Sequence, residues 1–118
     1  MSTTESVLDH HLETFGALDA EGIMEDYADD AVVITEEEVF RGVEAIREGF
    51  FEEGLFRDFD DPDATFSLET QVVEGDYAYI VWHAETSNTT YEFATDTFVI
   101  RDGEIVSQTF AAETSAND

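Results

Sequence analysis

Asp96 is the residue with the strongest case for chemistry in this chain. It lies in Thr95–Phe110, TDTFVIRDGEIVSQTF, which reads as two strands joined at Arg101-Asp102-Gly103-Glu104. Asp-Gly is the strongest short-range hairpin signal. Strand residues alternate faces, so Asp96 shares an apolar face with Phe98 and Ile100. A carboxyl group placed there is either a pocket acid or base, or a buried group bonded to a helix side chain such as His11 or Tyr27. Burial raises its pKa and a nearby imidazolium lowers it.

Three other polar residues could join it. His11 falls on the apolar stripe of the first helix, whereas its neighbour His10 does not, and a His11–Asp96 pair would make a proton-transfer couple. Trp82-His83-Ala84-Glu85 sets His83 on one strand face and Trp82 on the other, and a slip of one residue reverses them. Gln108, on the last strand with Phe110, is a neutral hydrogen bonder for the same pocket. No metal site is expected, because His10 and His11 point about 100° apart on a helix and lack chelating spacing. No cofactor is expected either. Gly42, Gly54, Gly75 and Gly103 punctuate turns and form no phosphate-binding fingerprint. No Gly-x-Ser-x-Gly elbow is present.

Composition bounds the rest. At 118 residues, 42% of them hydrophobic and ten of them Phe, the chain reads as a single domain, 1–118, with one core. There is no cysteine, which excludes disulfides, thiolate metal sites and Cys nucleophiles. Thirty acidic residues face four basic ones, all arginine, for a formal charge of −26. Nucleic acid is therefore a poor partner. Such a surface repels itself unless salt screens it, and the acids are spread along the whole chain. A halophilic, haloarchaeal protein is the reading that follows, with an acidic partner-binding surface as the alternative. No apolar run reaches the length of a membrane span and Met1–Leu8 is too polar for a signal peptide, so a cytoplasmic protein is expected.

The elements that must position these residues follow from periodicity. Ser2-Thr3-Thr4-Glu5 fits a capping box, and Val7, Leu8, His11, Leu12, Phe15 and Leu18 recur at helical spacing. Asp19 caps a second helix, Ala20–Tyr27, which Ala28-Asp29-Asp30 breaks. Ala31–Thr35 and Val39-Phe40 read as short strands around a glutamate turn. Gly42 opens a third helix through about Glu53, stopped by Gly54, and Phe56–Asp63 reads as a loop. Thr65–Glu74, Tyr77–Thr86, Thr90–Ile100 and a strand ending near Glu113 complete a four-strand antiparallel meander, with Thr114–Asp118 frayed.

That order, with Tyr27-Ala28-Asp29-Asp30-Ala31 and Gly42-x-x-x-Ile46-Arg47, resembles the NTF2-like (SnoaL-like) superfamily from about Val7 to Ala112. The Thr-Asp-Thr-Phe…Arg-Asp-Gly…Gln-Thr-Phe ending is similar to that of SnoaL-like proteins of unknown function. The resemblance implies an α+β cone, in which three N-terminal helices pack on a strongly curved, mostly antiparallel sheet around a pocket. It also implies a homodimer through the convex sheet face, where Tyr91, Phe93 and Val99 would lie.

The superfamily holds ketosteroid isomerase, polyketide cyclases, hydrolases, dehydratases and non-catalytic modules, so fold alone names no reaction. By its pattern, Asp96 falls where the isomerases keep a neutral oxyanion-hole aspartate, and His11 where they keep a donor tyrosine. Thr35 falls on their general-base aspartate, and a hydroxyl cannot do that work unaided. The same register turns His83 into the pocket and Trp82 toward the dimer face. The implied pocket is aromatic (Phe15, Tyr27, Phe50, Phe98, Phe110), with Thr35 and the polar groups Asp96, His11, His83 and Gln108, and takes a small hydrophobic molecule. Two functions remain open: proton transfer by His11 and Asp96 on such a substrate, or a non-catalytic binding or dimerisation module.

Overall fold

The computed structural model describes residues 3–117. Helix α1 (Thr4–Gly16) and helix α2 (Ala20–Met24) are followed by strands β1 (Tyr27–Thr35) and β2 (Val39–Arg41). A helical turn α3 (Val43–Ala45) runs into a π-helical segment (Ile46–Leu55) and then α4 (Phe56–Phe59). Strands β3 (Thr65–Glu74), β4 (Tyr77–Glu85), β5 (Thr89–Arg101) and β6 (Glu104–Ala116) complete the chain. The six strands form one sheet in the order β2-β1-β6-β5-β4-β3. Only the β1–β6 pair is parallel, so the sheet is mixed. It is not the strongly curled cone expected from the sequence. No described helix is long and apolar enough to cross a membrane.

Helix α1 forms where apolar residues repeat, burying Val7, Leu8, His11 and Phe15. Its cap is Thr3, whose side chain accepts from Ser6 N at 3.0 Å while Ser6 Oγ accepts from Thr3 N at 2.8 Å. The expected cap, Ser2, lies outside the described residues. Asp19 caps α2 as expected, accepting from Gly22 N at 2.9 Å. Between β5 and β6, Asp102 (φ 53°) and Gly103 (φ 78°) are both left-handed, and Arg101 pairs with Glu104. That is the two-residue turn whose twist matches the flanking strands.

Four boundaries move, each for a packing reason. Tyr27 starts β1 instead of closing α2, because it pairs with Ile105 of β6; Asp29 and Asp30 then face solvent across a register break. Gly54 departs from helical geometry (φ −102°, ψ −107°), yet the helix resumes. Phe56–Phe59 is accordingly helical and not a loop, since Phe56 and Phe59 both pack on Phe15, with ring centroids at 5.7 and 5.3 Å. Strand β6 runs past Thr114, pairing Ala116 with Thr89. Tyr91 turns inward, where the expectation had it on the convex face. A bulge between Tyr91 and Phe93 resets the alternation, and Tyr91 stacks on Phe59 at 5.3 Å and donates to Asp58.

Candidate active site

Asp96, Ile80 and Phe110 stand side by side on the inner face of β5, β4 and β6. Asp96 is 5% exposed. Its carboxyl is held from two sides: Trp82 Nε1 donates to Oδ2 at 2.8 Å, and Gln108 Nε2 donates to Oδ1 at 2.9 Å. Tyr27, at the start of β1, donates its hydroxyl to Gln108 Oε1. Burial pushes Asp96 up from 3.8 to about 6, against the two donors, which favour the anion.

His11 reaches the same chamber from α1. Its ring meets Phe98 edge-on at 4.8 Å, and its Nδ1 has no hydrogen-bond partner. Burial, and then the neighbouring His10, lower His11 to about 3, so it is neutral at physiological pH. His10 faces outward instead, 2.5 Å from Asp26, whose carboxylate raises it. No hydrogen bond joins His11 to Asp96.

The chamber between them is small, about 20 Å³, room for one water molecule. Of the residues expected around a pocket, His11, Phe15, Phe50, Asp96 and Gln108 line it, together with Phe51, Leu55 and Phe66, which the sequence did not single out, and Trp82, which was expected on the dimer face and is buried here instead. Phe50 and Leu55 also line an outer cleft of about 380 Å³, along with Thr35, Phe110 and Tyr91. These two side chains divide the cleft from the chamber. Both belong to the π-helical segment that kinks at Gly54, and π-type turns occur frequently at functional sites. A Cβ at Gly49 would come within 2.6 Å of the Phe40 ring, so any larger residue there must push that ring aside.

Of the other expected pocket residues, Thr35 and Phe110 line the outer cleft, whereas Tyr27, Phe98 and His83 line neither space. Thr35 ends β1 as a turn cap, donating to Glu38 O at 2.8 Å and accepting from Glu38 N at 3.0 Å. Phe98 is wholly buried behind His11. His83 is about half exposed on the outer face, 3.4 Å from Glu69, so its expected inward placement is corrected. The exchange with Trp82 arises because both faces of β4 are apolar: Ala78, Ile80, Trp82 and Ala84 alternate with Tyr77, Tyr79 and Val81. Pairing decides, since Ile80 lies opposite Asp96. Reading β4 and β5 as paired strands would have found Trp82. Among the described residues no group of three or more His, Asp or Glu side chains is placed to hold a metal ion.

The sequence matches the family described as SnoaL-like domain over residues 8–108. No functionally curated protein matches it. Similar solved structures include an NTF2-like protein of unknown function from Cytophaga hutchinsonii (TM-score 0.77, 12% identity, covering 96% of this chain and 92% of that one). A candidate ketosteroid isomerase from Kribbella flavida is also similar (0.78, 13%, 93% and 77%). So is SalBIII, an epoxide hydrolase/cyclase-like enzyme of pyran ring formation in the polyether salinomycin (0.77, 16%, 96% and 95%). At such identities the likeness shows the fold alone.

Proposed function

The chain belongs to the SnoaL-like domain family, and from that premise we propose that it binds a small, largely apolar carbonyl compound and moves a proton on it. The observation that carries this reading is a buried carboxyl with a pKa of about 6, at the wall of a chamber shared with a neutral imidazole. A base poised near the working pH is the usual mark of a proton-transfer site. The roles expected from the sequence are exchanged here. His11, at about 3, is the weaker base, and Asp96 is the stronger.

In the proposed step, the Asp96 carboxylate takes a proton from the carbon beside the carbonyl. The C–H electron pair becomes the C=C bond of an enolate, whose oxygen accepts a hydrogen bond from the His11 N–H. A neutral imidazole can polarise a carbonyl in this way. Return of the proton to another carbon gives an isomer; attack of the enolate carbon on a second carbonyl carbon closes a ring, the π pair of that carbonyl moving to its oxygen, which takes the proton back from Asp96. Thr35, engaged as a turn cap at the cleft, supplies no second base. A ligand reaches Asp96 by displacing Phe50 and Leu55, which joins the chamber to the cleft and gives a volume typical of small-molecule sites.

Titrating 2-tetralone, an apolar enolisable ketone, into labelled protein tests the reading by NMR. Shifts concentrated at His11, Phe50, Trp82 and Asp96 support it, and an unperturbed chamber at saturating ketone removes it. A second reading, a non-catalytic module, is favoured by the chamber's small volume and by the donors already satisfying Asp96.

A second copy of the chain is the proposed partner on the outer sheet face. Two adjacent cross-strand rows there, Thr70–Val81–Thr95–Ala111 and Val72–Tyr79–Thr97–Thr109–Ile34, carry no charge. In a chain with 30 acidic and four basic residues, such an uncharged strip fits a self-complementary interface. The setting we propose is a salt-rich cytoplasm. Arg47–Glu52 (3.2 Å) and Arg101–Asp76 (3.5 Å) are the arginine–carboxylate pairs among the described residues, so screening of the remaining acids falls to dissolved cations.

A further inference from the structure

We propose that Tyr27 is a positioning residue: its hydroxyl fixes which way round the Gln108 carboxamide sits, and thereby holds the Asp96 carboxyl between two N–H donors. This rests on the reading of Asp96 as the proton acceptor of the chamber. All three links are buried, with Tyr27 3%, Gln108 2% and Asp96 5% exposed, so water does not compete for them. Burial and the negative charges of Asp96 and Asp26 push the Tyr27 phenol well above its ordinary range, which keeps its proton in place. The proton is donated to Gln108 Oε1. With its oxygen committed, Gln108 has only its NH₂ group to turn toward Asp96 Oδ1. On the other side, the indole of Trp82 can donate and cannot accept.

The consequence is directional. Turned the other way, Gln108 would set its oxygen against a carboxylate oxygen, an arrangement stable only when Asp96 is protonated and donates. Asp96 protonation and the Gln108 flip are therefore one coupled event, and Tyr27 biases it toward the anion. The titratable groups facing this cluster are His11 from α1, Tyr27 from β1 with the Asp26 carboxyl beside it, and Tyr91 from β5, which packs on Trp82; the neighbours from β4 and β6, Trp82 and Gln108, do not titrate.

The test follows the Asp96 side-chain carboxyl by ¹³C NMR from about pH 4 to about pH 8 in the wild type, Y27F and W82F, with D96N used for assignment. Y27F frees Gln108 to accept from the protonated acid, and the Asp96 midpoint is expected to rise by about one unit. W82F is expected to raise it as well, through loss of a donor. An unmoved midpoint in Y27F beside a raised one in W82F overturns the relay and leaves Asp96 as the base. An Asp96 that does not titrate in the wild type within this window overturns the base reading, and the relay with it. Should Y27F fail to fold, the wild type alone decides: the Gln108 side-chain amide signals must shift with the Asp96 titration, and signals indifferent to it refute the proposal.

Discussion

Replacing Asp96 with asparagine isolates the cost of keeping a carboxylate in the core. Burial raises Asp96 from 3.8 to about 6. An acid whose folded pKa lies above its unfolded one holds its proton more tightly in the native state. Stability from this group is therefore greatest below pH 3.8, falls as pH rises toward about 6, and is level above that. The two values differ by about 2 units, and at about 1.4 kcal/mol per unit the ionised group costs on the order of 3 kcal/mol at neutral pH. Asn keeps the size and removes the charge, and a flip of Gln108 can supply its amide with an acceptor.

The assay is urea unfolding of both proteins in molar KCl across that pH range. The other carboxylates titrate in both proteins and cancel in the difference. D96N is expected to gain about 2.4 kcal/mol on the wild type between pH 4 and 7, the rest of the difference having accrued below pH 4. A fixed penalty for Asn only offsets the curve. A difference curve that is flat or falls over this range would refute the account of a carboxylate held in the core at a cost.

Three further outcomes are expected. The thermal midpoint of the wild type rises by several degrees or more as KCl goes from dilute to molar, measured by circular dichroism; a flat or falling dependence removes the salt-adapted reading. Thr97→Glu sets a charge in the middle of the uncharged outer face, and light scattering should show dimers becoming monomers; a monomeric wild type at micromolar concentration, or a dimer that tolerates the change, ends the interface proposal. Phe50→Ala removes a buried ring between chamber and cleft, at a cost of about 3–5 kcal/mol. In folded variant, affinity for 2-tetralone by calorimetry should rise, and unchanged affinity would mean that Phe50 is not the barrier.

Much of the inner face was legible in the sequence. Alternation along β5 placed Asp96, Phe98 and Ile100 together, and Asp102-Gly103 set the turn that brings Gln108 across from Phe98. The inward stripe of α1 identified His11. The failures on the strands share a cause, which is that alternation gives a face only while register is unbroken and one side is polar. The bulge at Tyr91/Phe93 turned Tyr91 inward, and β4, apolar on both sides, gave no sign of which face held Trp82. Gly54 suggested a stop, and Phe56–Asp63 a loop, where Phe56 and Phe59 have core to bury, so packing overrode the local breaker. The tie from Tyr27 to Gln108 spans 81 residues, and no local pattern encodes such a contact.

The most direct measurement is solvent deuterium incorporation into saturating 2-tetralone by the wild type and D96N, followed by ¹H NMR in molar KCl. Exchange at the carbon beside the carbonyl should run above buffer in the wild type and rise through a midpoint near 6. It should drop by about a hundredfold or more in D96N, the usual range for loss of a general base. Equal exchange in the two proteins, or exchange no faster than buffer while the ketone is bound, would contradict proton transfer by Asp96 and leave a binding module of the same fold.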